Sequence, residues 1–167
     1  NTLNAVLKEF NPDFLVACLD VKRSELKRSE DLETYKAHRE SMPDELVQQL
    51  PKIMEVLDGY RVPKYKMIGY EADDVIGALA KQAEKVGYDV FMVTPDKDYG
   101  QLVSEHVKIY KPPYQGGLFE ILGPQEVCNK WGIANVGQVI DMLGLMGDAV
   151  DNIPGIKGVG EKTAAKL

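Results

Sequence analysis

Eight carboxylates in this 167-residue chain fall where they could act together. Asp20 follows the apolar run 14–19 (FLVACL), and Asp96 and Asp98 follow the run 89–94 (DVFMVT). Glu71, Asp73 and Asp74 open a helical pattern, while Asp148 and Asp151 stand three apart in a glycine-rich stretch. Capping explains one or two acids at a helix start. Turn chemistry explains Asp148 or Asp151 taken alone. Three acids within four residues, however, repel one another unless something positive lies near. Setting the eight aside leaves 18 acidic residues against 20 Lys and Arg, about +2, whereas the whole chain carries −6. The acidity is thus concentrated in one candidate cluster, which needs divalent cations to neutralise it. With two His and two Cys in the chain, zinc is a poor fit. Hard, oxygen-ligated Mg²⁺ suits the donors, with Mn²⁺ as a substitute and phosphate as the natural co-ligand. Two such ions roughly 4 Å apart are the usual apparatus for phosphodiester hydrolysis.

The elements that must position these residues alternate in type. Apolar spacing predicts helices over 2–9, 44–60, 71–86, 124–132 and 137–146, and the start of another from 161. Short apolar runs predict buried strands over 14–19 and 89–94, with less regular ones at 64–68 and 107–110. Gly116-Gly117 marks a turn. Residues 20–39 are highly charged and read either as a solvated helix or as a mobile segment. The alternation predicts an α/β fold with a mainly parallel central sheet flanked by helices. Ligands in such sheets bind beyond the carboxyl ends of the strands, so Asp20, Asp96 and Asp98 would share one edge. Cys18 and Cys128 lie far apart and suggest no disulfide scaffold. With Trp131 they read as packing residues. No apolar run reaches the ~20 residues of a membrane-spanning helix and no signal peptide is visible, so the expected location is cytoplasmic.

The tail has a different chemistry. Gly155, Lys157, Gly158, Gly160, Lys162 and Thr163 lead into the last helix, and Lys166 adds to a locally basic end. The Walker A spacing is absent. Glycines and free helix N–H groups admit an anion, and the pattern is similar to the hairpin of helix–hairpin–helix elements, which hold backbone phosphate without reading bases. A tight turn between helices is the plainer alternative.

Together, YEADDVIGALAKQAE from Tyr70, VTPDKDYGQLV from Val93 and GLMGDAVDNIPGIKGVGEKTAAKL from Gly144 resemble the 5′→3′ exonuclease domain of bacterial DNA polymerase I, in the structure-specific 5′ nuclease (flap endonuclease) family. The resemblance runs from about residue 15 to the end. It implies two groups of metal ligands: Asp20, Glu71, Asp73 and Asp74 in one, and Asp96, Asp98, Asp148 and Asp151 in the other. It also implies an arch-like segment over the active site, here 21–43. Tyr35-Lys36-Ala37-His38-Arg39 resembles the end of that arch, so Lys36 and Arg39 carry over as phosphate contacts, and Arg28 matches an arginine just upstream. The organisation it implies is a nuclease core over 1–146 and the start of a helix–hairpin–helix DNA-binding element over 147–167, truncated within its second helix. The run VKRSELKRSED departs from the usual arch sequence. Family members also begin with a strand bearing a further metal-binding aspartate, which has no counterpart after Asn1. The sequence therefore reads as a piece of a longer chain.

The function expected is metal-assisted hydrolysis of DNA near a 5′ end or 5′ flap, with two Mg²⁺ and with Lys36, Arg39, Asp73 and Asp96 as catalytic residues. Arg28, Lys36, Arg39 and the tail residues Gly155 to Thr163 would contact DNA backbone. The expected partners are DNA, an RNA primer strand, and a polymerase module in the parent chain, but no membrane. The rival readings are a structure-specific DNA-binding module without catalysis, a small-molecule phosphohydrolase, and an acidic calcium-binding domain. The last is weakened by the absence of EF-hand spacing.

Overall fold

The computed structural model describes residues 2–32, 34–37, 39, 42–113 and 118–167. Among these residues, helices α1 (Thr2–Phe10), α2 (Lys27–Asp31), α3 (Asp44–Gly59), α4 (Ala72–Lys85), α5 (Pro124–Trp131), α6 (Gln138–Met146) and α7 (Glu161–Ala164) accompany five short strands. These are β1 (Ala17–Cys18), β2 (Lys64–Tyr65), β3 (Val90–Val93), β4 (Val107–Lys111) and β5 (Glu120–Leu122). No helix among the described residues is long and apolar enough to cross a membrane.

The sheet comes in two patches. In one, β1 and β2 pair in parallel, Ala17 opposite Lys64 and Cys18 opposite Tyr65. In the other, β3 and β4 run parallel from Val90–Val107 to Val93–Tyr110, and β5 adds antiparallel to β4. Of the expected strand 14–19 only Ala17 and Cys18 pair, since β2 offers partners at Lys64 and Tyr65 alone; the expected strand 64–68 shrinks for the same reason. Strand β5 has no strong alternating pattern and was not expected. Helix α4 spans both patches, packing on β1 and on β3. It buries Ala72, Val75 and Ala80, a helical spacing that turns one face to the strands.

The main apolar core lies on the second patch. Ala80, Met92, Val107, Ile109, Val127, Trp131, Val139, Met142 and Ala164 form one contiguous cluster. Cys18 and Cys128 are free and Trp131 packs in this core. Among the described residues, further apolar side chains are buried outside the cluster, among them Val6, Leu26, Tyr35, Val62 and Tyr110. Helix α3 buries none of its residues, and Leu46, Leu50 and Ile53 stand exposed along it.

After β3 the chain makes a 3-10 helix, Lys97–Leu102, whose first turn is capped by Asp96 accepting from the Asp98 N–H at 2.9 Å. Between α6 and α7 it folds back tightly: Asp148 and Ile153 exchange backbone hydrogen bonds, and the Ile156 N–H donates to Leu145 O at 2.8 Å. Gly147 adopts φ 68° and ψ −174°, and a Cβ there would lie 2.2 Å from Gly155 N. A Cβ at Gly155 would in turn meet Met146 O at 2.0 Å. The two glycines let one backbone lie against the other, which gives Gly155 a structural role whatever it contacts. The last helix is shorter than expected, ending at Ala164. The turn expected at Gly116-Gly117 lies outside the described residues, as does His38.

Candidate active site

The N-terminus of α4 gathers the first carboxylate group. Asp20, just beyond β1, accepts the Ala72 N–H on Oδ1 at 2.8 Å. Asp74 turns back to accept the Glu71 N–H at 3.0 Å. Capping therefore does occupy Asp20 and Asp74, as orphan N–H groups at a helix start require. Glu71 and Asp73 are left to other partners. Glu71 is only 6% exposed and accepts from Lys36 Nζ on Oε1 and from Tyr35 Oη (2.8 Å) and Arg28 Nη1 (3.0 Å) on Oε2. Burial pushes its carboxyl up, but the Lys36 and Tyr35 hydrogen bonds and the nearby cations outweigh this and leave it below its ordinary value. Asp73 goes the other way. Burial, then the charges of Asp20, Asp96 and Glu71, raise it despite a 2.6 Å hydrogen bond from Tyr99 Oη.

The second group is assembled by the 3-10 helix and the 148–151 turn. Asp148 Oδ1 accepts the N–H groups of Val150 (2.8 Å) and Asp151 (3.1 Å), and its Oδ2 faces Lys97 Nζ at 3.1 Å. Burial raises the Asp148 carboxyl, yet the Asp151 N–H and Lys97 bring it below the usual range. Asp98 is raised, first by burial and then by Asp96. Its Oδ1 is buried without a hydrogen-bond partner, and the Lys97 ammonium is 3.5 Å away. Asp151 receives Arg39 Nη2 on Oδ1 at 2.6 Å and lies 3.7 Å from Lys36 Nζ.

Between the groups is an open cleft of about 560 Å³, lined by Glu71, Asp73, Asp74, Asp98 and Asp151 with Arg28, Tyr35 and Tyr99. Asp20, Asp96 and Asp148 do not line it: Asp20 accepts the Ala72 N–H of α4, Asp96 caps the 3-10 helix and Asp148 pairs with Lys97. The hairpin residues Gly155, Lys157, Gly158, Gly160, Lys162 and Thr163 do not line the cleft.

The charged segment 20–39 is neither a long solvated helix nor an unattached one. It breaks into a 3-10 turn, the short α2 and a turn at 34–37, and this last turn is fastened to the 148–152 loop. Lys36 N–H donates to Asp151 O at 2.9 Å and Asn152 Nδ2 to Thr34 O at 2.7 Å. Lys36 itself takes φ 52°, an uncommon value for a lysine that this fastening holds. Its partly buried ammonium lies between Glu71 and Asp151. Arg28 spans Glu71 and Asp74, with both Asp74 oxygens engaged at 2.8 and 2.6 Å, and the Asp74 hydrogen bond raises its already high pKa. The cations expected to face phosphate thus rest on carboxylates.

Those ion pairs explain a further feature. Among the described residues, no group of three or more His, Cys, Asp or Glu side chains is set closely enough to hold an ion as it stands. Lysine and arginine heads occupy the space between them. The donors nevertheless fit a hard divalent cation: all are carboxylate oxygens, they come from both sides of one cleft, and Asp98 Oδ1 is buried without a hydrogen-bond partner, facing the Lys97 ammonium at 3.5 Å.

Three contributors are invisible to spacing arguments. Tyr35, 7% exposed, bridges Glu71 and Asp151 through its hydroxyl (2.8 and 3.4 Å). Tyr99, 4% exposed, reaches Asp73. Burial first, and then the carboxylate each one serves, hold both phenols far above the ordinary tyrosine range, so both remain donors. Lys97 stands between Asp98 and Asp148. The one available signal was adjacency, since Tyr35 precedes Lys36 and Tyr99 follows Asp98.

Residues 1–132 match the family model for the 5′-3′ exonuclease N-terminal resolvase-like domain, and residues 134–167 match the 5′-3′ exonuclease C-terminal SAM fold. The chain is 41% identical over 165 residues to DNA polymerase I of Bacillus caldotenax, covering 99% of this chain and 19% of that protein. It is 39% identical over 165 residues to a 5′-3′ exonuclease of Aquifex aeolicus, covering 99% of this chain and 55% of that one. It therefore spans about a fifth of the polymerase relative and about half of the exonuclease. Among solved structures, T5 5′-exonuclease described with bound divalent metal ions (zinc) superposes with a TM-score of 0.79 at 22% identity, over 99% of this chain and 63% of that one. The T5 D15 flap endonuclease in complex with DNA and metal ions superposes at 0.74 and 21%, over 99% and 62%. At these identities the structural likeness speaks to the fold, an α/β core with a C-terminal SAM-like element. Because the two family models between them take in nearly every residue, the chain belongs to the 5′-3′ exonuclease family.

Proposed function

We propose that the chain carries the active site of a 5′→3′ exonuclease and 5′ flap endonuclease. It would hydrolyse DNA phosphodiesters with two Mg²⁺, or Mn²⁺ in their place, as part of a DNA polymerase I acting in replication and repair. The carrying observation is the convergence of carboxylates from α4, the 3-10 helix and the 148–151 turn on one cleft, in a chain of this family. Asp20, Glu71, Asp73 and Asp74 would hold one ion and Asp96, Asp98, Asp148 and Asp151 the other. When bound, such ions supply an activated water and a Lewis acid for the leaving oxygen.

The chain's own residues would do the rest. Arg28 lines the cleft, Lys36 and Arg39 pair with carboxylates that line it, and all three can neutralise a phosphate once they leave Glu71, Asp74 and Asp151. Asp73 and Asp96 would position the reacting groups. The hairpin would grip duplex backbone through Gly155, Gly158 and Gly160, with Lys157, Lys162 and Thr163 beside them, giving preference for structure over sequence and weaker binding in salt. In this reading 1–146 is the nuclease core and 147–167 the start of the DNA-binding element. Action on DNA and on RNA primers places it at the nucleoid in the cytoplasm, with a polymerase module in the parent chain.

The test is a 5′-labelled flap duplex incubated with the chain in Mg²⁺ and in EDTA. Cutting near the junction is expected in Mg²⁺ alone. Flap binding with no cutting in either would sink the catalytic reading and leave a structure-specific DNA-binding module.

A further inference from the structure

We infer that Tyr99 is a positioning residue that locks the two carboxylate groups in register and presets Asp73 to receive a divalent ion. This rests on the metal-site reading above and deepens it. Tyr99 is next in sequence to Asp98, on the 3-10 helix that Asp96 caps, so Asp96, Asp98 and Tyr99 move as one unit. Its hydroxyl crosses to the N-terminus of α4 and donates to Asp73 Oδ1 at 2.6 Å. Among the described residues it is the only side chain that hydrogen-bonds Asp73. Glu71, by contrast, is held by three side chains and would survive the loss of one. With Oδ1 engaged, Asp73, a residue of the cleft lining, would have Oδ2 left to serve as an oriented ligand.

Packing alone does not require this hydroxyl. The ring lies in the main core, where a phenylalanine would fill the same space. Instead, a buried phenol is aimed at a carboxylate in the crowded, mutually repelling part of the site. Without it Asp73 turns freely about its carboxyl bond and must be ordered when an ion binds. Hydrogen-bond partners of metal ligands typically change ion affinity by about 10–100-fold.

The experiment is a Mn²⁺ titration of the chain, followed by the paramagnetic signal of the free ion, for the parent, Tyr99→Phe and Asp73→Asn. Tyr99→Phe is expected to weaken one of the ions about tenfold. The Mg²⁺ concentration for half-maximal flap cleavage should rise by a similar factor, while the plateau rate is largely kept. Unfolding by urea in EDTA shows that the variant retains its fold, which a core phenylalanine should preserve. A Mn²⁺ affinity within twofold of the parent for Tyr99→Phe, alongside a clear loss for Asp73→Asn, would overturn the role of Tyr99 alone. Unchanged affinity in both variants would overturn the metal reading of Asp73, and the inference with it. A fall in plateau rate with no change in Mg²⁺ requirement would also count against positioning.

Discussion

Asp73→Asn should slow flap cleavage by about a thousand-fold while leaving flap binding within a few-fold of the parent. Asp73 lines the cleft, and the charges of Asp20, Asp96 and Glu71 bear on its carboxyl. Asparagine has the same shape and can still accept the Tyr99 hydroxyl, so the local geometry stays. What goes is a negative charge on which an ion depends. A thousand-fold is about 4 kcal/mol of barrier, within the several kcal/mol that metal assistance contributes. The hairpin that should carry duplex affinity lies outside the cleft, so binding should hold. Single-turnover cleavage in Mg²⁺ and flap binding in Ca²⁺ measure the two separately, and a rate within tenfold of the parent would refute the assignment. The same variant should be no less stable in EDTA. Burial and the neighbouring carboxylates raise the folded-state pKa of Asp73, so above that pKa the ionised group opposes folding and its loss relieves the repulsion.

Gly147→Ala should destabilise the chain by about 3 kcal/mol or more and lower its unfolding midpoint by roughly 10 °C. Two costs combine. The backbone at φ 68° and ψ −174° is a conformation that glycine alone adopts without strain. The added Cβ would also lie 2.2 Å from Gly155 N and 2.5 Å from Ile153 O. Neither neighbour can yield, because both are backbone and Ile153 is paired with Asp148. Displacing this pair shifts Asp148 and Asp151, so ion affinity and duplex affinity should fall together. Thermal unfolding in EDTA reads the stability directly, and a loss below about 1 kcal/mol would show that the turn accommodates the methyl group.

Asp20, Asp96 and Asp98 stood out in the sequence because each follows an apolar run, where an α/β sheet presents its ligands. Glu71 and Asp73 also betrayed themselves by excess, since capping a single helix start needs only Asp20 and Asp74. Tyr35 and Tyr99 were not legible. A tyrosine among apolar residues reads as packing, and nothing in DKDYG says that its hydroxyl reaches back to residue 73. The pairing of Lys36 with Glu71 was hidden for a related reason. A cation that can serve phosphate serves a carboxylate equally well, and the choice is made by tertiary contact between the 34–37 turn and the 148–152 loop. Strand lengths were overestimated at 14–19 because apolar runs record burial, whereas pairing depends on what the partner strand supplies.

The uneven distribution of the core has a consequence for how the molecule breathes. The contiguous apolar cluster lies between residues 76 and 164, and the part that carries β1, α2, α3 and β2 contributes little to it. Opening that N-terminal layer should therefore require less free energy than global unfolding. Amides of Ala17, Leu19 and Lys36 should exchange with deuterium well before those of Ile109 and Tyr110. The cleft lies on the seam between the two parts, with Arg28, Tyr35 and Lys36 on the yielding side and Asp98 and Tyr99 on the firm one. Local opening of the lighter half should leave the half that carries Asp96, Asp98 and Asp148 folded.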